Sequence, residues 1–265
     1  MAFVNYATGN LAIKIVYYGA GLSGKTTNLR YMYTNMDADF RGELICLETD
    51  TERTLFFDLL PIKAGIINDF KIHLQLMTVP GQVFYAASRK SVLKGVDGIV
   101  FVADSQIPLL DANLESFDGL RRNLLEHNVD LNFIPLVFQY NKRDLDNLIP
   151  VETFNNLLNP SGHPYIESCA IKGMGVFETL KEITKLAIPL VKEKIKDDER
   201  KIVGKERLKK RKDEKKETPE KKDEIKFVAK KIGVPLRVTK VKFKSQKDIE
   251  EELENLAKDF TESKK

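Results

Sequence analysis

The run from Leu11 to Arg30, LAIKIVYYGAGLSGKTTNLR, decides the fold. Its first eight residues are apolar except Lys14 and read as a buried strand. The strand runs straight into a turn holding Gly19, Gly21 and Gly24, and the chain from about Lys25 to Asn35 then reads as a helix. Gly19 to Thr26 fits G-x-x-x-x-G-K-[ST] in the strand–turn–helix setting that this pattern needs. In such a turn the backbone N–H groups and the helix N-terminus converge on one point and suit a phosphate. Gly19, Gly21, Leu22, Ser23, Gly24, Lys25, Thr26 and Thr27 are therefore candidate nucleotide contacts. Lys25 would reach the β- and γ-phosphates, and the Thr26 hydroxyl would ligate Mg²⁺. This pattern points to a nucleoside triphosphate and does not choose the base.

Outward from this run, strands alternate with helices. Phe70 to Val79 places Ile72, Leu74 and Leu76 on one face, as a half-exposed strand would. Gly98 to Ala103 and Ile134 to Tyr140 are near-continuous apolar runs, typical of parallel strands covered on both faces. A helical pattern spans Leu109 to His127, and Tyr165 to Ser168 reads as a short last strand. Val176, Phe177, Leu180, Ile183, Ala187 and Leu190 mark one face of a final helix that Pro189 should kink or end. The fold predicted is α/β, a mostly parallel central sheet flanked by helices, with one antiparallel edge strand before Phe70. Ligand should sit at the carboxyl ends of the strands.

Asn141-Lys-Arg-Asp144 follows one of those strands and chooses the base. The Asp144 carboxylate can accept from the N1–H and the 2-amino group of guanine, and the Lys142 stem can lie over the ring. Adenine offers no such pair of donors, so a carboxylate left unpaired would oppose it.

Charge is unevenly spread. Met1 to Val191 carries 17 basic and 21 acidic residues, whereas Lys192 to Lys265 carries 26 and 18. The second stretch has few large apolar residues and cannot offset the entropy of ordering over most of its length. The expected organisation is a nucleotide-binding domain at 1–191, a flexible charged linker at 192–244, mostly disordered or partly helical, and a short amphipathic helix at 245–265. Ser245 to Asp248 matches a capping box, and Ile249, Leu253, Leu256 and Phe260 form one stripe behind it. Two widely spaced cysteines, Cys46 and Cys169, fit a reducing cytoplasm rather than a disulfide framework. No signal peptide, membrane span or lipidation signal is evident, so neither a lipid anchor nor a nucleic-acid partner is expected.

The segments VYYGAGLSGKTTNLRYMY, TERTLFFDLLP, TVPGQVFYAASRK, GVDGIVFVADS, NKRDL and GMGVFETLKEI, in this order, resemble the Ras superfamily. Within it they resemble the MglA family, bacterial Ras-like GTPases of cell polarity and gliding motility. The resemblance covers about Ala12 to Leu190. It implies a P-loop GTPase that binds GTP and GDP with Mg²⁺ and hydrolyses GTP. It further implies a dimeric Roadblock-fold activating partner of the MglB type, effectors that read the nucleotide state, and recruitment from the cytoplasm to a cell pole through partners.

The resemblance also assigns roles. Gln82 would orient the attacking water, Arg53 would serve as an arginine finger in cis, and Thr54 would close on the γ-phosphate and the metal. Gly81 would contact the nucleotide, and the loop with Cys169 and Ala170 would contact the base, the Ala170 N–H facing guanine O6. One feature departs from the Ras pattern: Thr78-Val-Pro-Gly81 stands where Ras-type proteins read D-x-x-G. Asp58 is then either a substitute metal ligand acting through water or a surface charge. Pro80, Phe84 and Tyr85, with Leu55, Phe56 and Phe57, place apolar residues in both switches, part for the core and part for a nucleotide-dependent partner site. Two rivals stand beside the GTPase. One is a nucleotide kinase or ATPase, which Asn141 to Asp144 argue against. The other is a pseudo-GTPase scaffold with negligible turnover, which Thr78 favours.

Overall fold

Period-two alternation along three parallel strands sorts their side chains into two cores. In the computed structural model of the chain the described residues are 3–5, 8–46, 57–67, 70–81 and 85–214. The strands are β1 (Phe3–Asn5), β2 (Asn10–Tyr18), β3 (Ile45–Cys46), β4 (Asp58–Ile67), β5 (Phe70–Thr78), β6 (Gly98–Asp104), β7 (Leu136–Asn141) and β8 (Tyr165–Glu167). The helices are α1 (Lys25–Asn35), α2 (Ala86–Leu93), α3 (Leu110–Leu125), α4 (Val151–Leu157) and α5 (Val176–Glu214). Leu11, Ile13, Ile15 and Tyr17 of β2 join Val100, Val102 and Val137 under α1 and α5. Val16 and Tyr18 join Ile99, Phe101, Phe138 and Tyr140 on the opposite face, under α2, α3 and α4.

The sheet runs β3-β4-β5-β2-β6-β7-β8. The five strands from β5 to β8 are mutually parallel. Strand β4 runs antiparallel to β5, and β3 antiparallel to β4. This is the Ras-like arrangement expected, with the antiparallel strand before Phe70 in place. One strand went unread, and another was expected without its bounds. Strand β1 pairs with Asn10 to Ala12, below the stretch of β2 that pairs with β6. Strand β4, Asp58–Ile67, carries Pro61 and a bulge at Lys63/Gly65, both of which mask strand periodicity.

Helix α5 does not end at Pro189. The helix passes through that residue and continues to Glu214. Its buried stripe is Val176, Leu180, Ile183, Ala187 and Val191, so the last anchor is Val191, while Leu190 and Phe177 are over a third exposed. Ile195, past the proline, also packs on this core. Pro189 and Lys185, whose carbonyl loses its partner, both lie on the exposed side. Water can satisfy that carbonyl, and apolar burial on either side of the proline outweighs one missing bond. Residues 215–265, including the stripe from Ile249 to Phe260, lie outside the described residues. Among the described residues no helix is long and apolar enough to cross a membrane.

Pro189→Ala restores an N–H for the Lys185 carbonyl at an exposed site. It should raise the unfolding free energy by about 1–3 kcal/mol, read by urea denaturation, and leave nucleotide affinity unchanged.

Candidate functional site

The loops that follow the carboxyl ends of β2, β5, β7 and β8 line a cavity of about 810 Å³. Gly21, Leu22, Gly24, Lys25, Thr26 and Thr27 line one side and Asn141, Lys142, Asp144, Cys169 and Ala170 the other, with Gly81 between them. Of the remaining expected contacts, Gly19 and Ser23 lie behind the wall, and the Gly19 carbonyl holds Lys25. Arg53, Thr54 and Gln82 lie outside the described residues, as do Leu55, Phe56 and Phe84. Pro80 is buried and Phe57 packs on the second core, so both are structural here.

One side chain spans the two walls. The Asn141 amide donates to the Ser23 carbonyl at 2.8 Å. Its carbonyl accepts from the Ala170 N–H at 2.9 Å and the Ser168 hydroxyl at 3.1 Å. The approach explains Gly24: its φ is +104°, and a Cβ there would lie 2.1 Å from Asn141 Nδ2. Gly81 is equally constrained, because an added Cβ would lie 2.5 Å from the backbone of Gly21. Among the described residues, a side chain at Gly21 would meet only Gly81, at 3.8 Å.

On the phosphate side, the Lys25 ammonium donates to the carbonyls of Gly19 at 3.0 Å and Ala20 at 2.6 Å. Burial pushes it down to about 7, against the opposing pull of the Asp58 carboxylate. On the base side, the Cys169 thiol, and secondarily Lys172, hold the Asp144 carboxylate below its ordinary range. Lys172 Nζ is 3.3 Å from Asp144. Burial, followed by the hydrogen bond to Asp144, pushes the Cys169 thiol up, so it serves as a donor rather than a nucleophile.

Asp58, Thr78 and Thr26 meet beneath the phosphate loop. Asp58 is fully buried at the start of β4. Its Oδ2 accepts from the Thr26 hydroxyl at 2.6 Å and the Thr78 hydroxyl at 2.7 Å. The Thr78 oxygen in turn accepts from the Asp58 N–H at 2.9 Å. Asp58 is therefore no surface charge. Its Oδ1 is buried without a hydrogen-bond partner, and a buried carboxylate oxygen is costly to leave so. Two hydroxyls and one carboxylate form an oxygen-only donor set that fits Mg²⁺, which takes few protein ligands beside phosphate and water.

Asp104 was missed by the motif reading. It ends β6, is 1% exposed, and its Oδ2 lies 2.5 Å from Lys142 Nζ. The Asn113 side chain clamps the Asp104 backbone at both its N–H and its carbonyl. Lys142 sits at φ +66°, a strained conformation for a residue with a side chain. The ion pair thus fixes the residue expected to cover the base. The available signal was a lone carboxylate closing an apolar strand, next to the strand of Asn141.

A phosphate loop, an Asn-Lys-x-Asp loop and a Ras-like sheet together define a small GTPase that binds guanine nucleotide. No protein-family model matches the chain. Over 192 residues it is 55% identical to the mutual gliding-motility protein MglA of Myxococcus xanthus (strain DK1622), an alignment covering 72% of this chain and 98% of that protein. The chain belongs to the MglA family.

Two outcomes follow from this geometry. Asp104→Asn should speed release of a fluorescent GDP analogue by about tenfold while the fold persists, since it removes the charge that orients Lys142. The second concerns protons. A Lys25 titrating near 7 without nucleotide is mostly neutral at pH 8, and bound phosphate favours its charged form. GDP binding at pH 8 should therefore take up protons, measured as a dependence of calorimetric heat on buffer ionisation. Lys25→Met should abolish that uptake, because no titrating group remains there.

Proposed function

We propose that the protein is a Mg²⁺-dependent GTP hydrolase. It works as a GTP/GDP switch in bacterial motility or polarity, the process named by its relative from Myxococcus xanthus. The observation that carries the hydrolytic reading is the buried Asp58 carboxylate, unpaired at Oδ1 and bonded to the Thr26 hydroxyl. It supplies the negative charge that Thr78 withholds, so the departure from D-x-x-G loses its force as support for an inert scaffold. When bound, the cation would neutralise charge on the β- and γ-phosphates, with Thr26 and Asp58 as its protein partners.

The chain's own groups divide the remaining work. Lys25 exchanges the carbonyls of Gly19 and Ala20 for phosphate oxygens and carries positive charge to them. Asp144, oriented by Cys169, accepts from the guanine edge. Gln82 orients water, Arg53 stabilises charge on the transferring group, and Thr54 closes over the γ-phosphate. With its arginine in cis, the enzyme needs from an activating partner of the Roadblock fold only that these residues be held in place.

Single-turnover hydrolysis of GTP tests the reading. Wild type should turn over slowly alone and faster with the activator, whereas Arg53→Ala and Gln82→Leu should bind GTP nearly as wild type and lose stimulated turnover by about 10³-fold or more. Normal stimulation of Arg53→Ala would make that arginine a loop charge. Asp144→Asn should shift preference from guanine to xanthine nucleotides, and equal wild-type affinity for ATP and GTP would defeat the assignment of the base.

A further inference from the structure

Strand β7 carries a second amide two residues before Asn141, and so on the same face. Gln139 is fully buried, as are its partners Asn28 in α1 and Thr179 in α5. Gln139 and Asn28 form a reciprocal pair. Asn28 Nδ2 donates to Gln139 Oε1 at 2.8 Å, and Gln139 Nε2 donates to Asn28 Oδ1 at 3.0 Å. The remaining protons are also used. Asn28 Nδ2 donates to the Gly24 carbonyl at 2.9 Å, and Gln139 Nε2 to the Thr179 hydroxyl at 3.0 Å. Thr179 passes its own proton to the Gly175 carbonyl at 2.6 Å, at the end of the loop that begins at Ser168. Every polar hydrogen in this set has an acceptor.

A buried network of this kind is not needed for packing. Two apolar side chains of similar shape would fill the same space at equal or lower cost. What hydrogen bonds add is register, since they fix α1 against β7 where an apolar contact could slide. The ends of the network matter. One end is Gly24, the hinge between the phosphate loop and α1. The other is Gly175, which closes the loop carrying Cys169 and Ala170. We propose that Gln139 and Asn28 are positioning residues that lock the phosphate loop to the guanine-contacting loop, so that neither lets go of the nucleotide alone. With Asn141 they make a double clasp from one strand face, and the second clasp sets the rate of nucleotide release. The proposal rests on the guanine-nucleotide reading of the cavity.

The test compares ways of refilling the site in the full chain. Asn28→Leu with Gln139→Leu replaces the amides by apolar bulk, whereas Asn28→Gln with Gln139→Asn exchanges the two amides and keeps the pair. Melting temperature without nucleotide and release of a fluorescent GDP analogue are measured for each. The leucine pair should melt near wild type yet release GDP about tenfold faster, and the exchanged pair should restore slow release. Wild-type release from the leucine pair overturns the proposal, as does fast release from a well-folded exchanged pair. Should the leucine pair fail to fold, Thr179→Val removes one hydroxyl and little else. It should speed release about threefold, and unchanged release overturns the proposal. Failure of wild type to retain GDP at all would instead refute the nucleotide reading.

Discussion

The Asn141 side chain sets the distance on which the site depends. It reaches from the end of β7 to the Ser23 carbonyl in one direction and to the Ala170 N–H in the other. A nucleotide must touch phosphate donors and a base acceptor at once, and the separation of the two is a property of the protein, not of either loop. An amide is suited to that position because it donates at one atom and accepts at the other. Gly24 follows from it, since no other residue leaves room for Asn141 Nδ2. The sheet supplies the rigid part: β6 and β7 are buried along their whole length, so their ends do not shift when the loops above them do.

Strain and buried charge concentrate at this edge. Lys142 has a positive φ and is tied to a carboxylate that is 1% exposed. Lys25 is buried against two carbonyls, and Asp58 keeps one oxygen without a partner. None of these arrangements is explained by folding alone, because each would be relieved by an apolar or smaller residue. All become favourable once phosphate, a cation and a base complete them. A site of this kind lowers the stability of the empty protein and returns the difference as affinity for the nucleotide.

The sequence disclosed what depends on local pattern. Strand β2, the phosphate loop and α1 were legible to within a residue, because a glycine turn between an apolar run and a helix has few alternatives. The buried strands β6 and β7 were legible from continuous apolar runs. Strand β4 was expected as an antiparallel edge strand before Phe70, but its bounds were not legible, because Pro61 and the bulge at Lys63/Gly65 break its alternation, and β3 lies outside it. Pro189 was read as a kink or an end of helix α5 from its propensity, whereas the buried stripe that runs through Ala187 to Val191 carries the helix past it. Asp104 and the Gln139–Asn28 pair carry no motif. Their meaning lies in partners 38 and 111 positions away in the chain, Lys142 and each other, and only the parallel order of the strands brings those together.

The exchange of a carboxylate between strands has its own consequence. In the D-x-x-G pattern the acid ends the strand beside β2. Here Thr78 holds that place, and under the proposed mechanism its role falls to Asp58, at the start of β4 on the far side of β5. Asp58 supplies one carboxylate beneath the phosphate loop, and the Thr78 hydroxyl donates to it. What differs is the element that carries the charge. Strand β5 is held between two neighbours, whereas among the described residues β4 is paired on its other side only by the two residues of β3 and the bridge at Arg41. It also begins directly after the segment that holds Arg53 and Thr54. Under the proposed mechanism the cation contact is anchored through β5, since the Asp58 N–H donates to the Thr78 hydroxyl and its Oδ2 accepts from it.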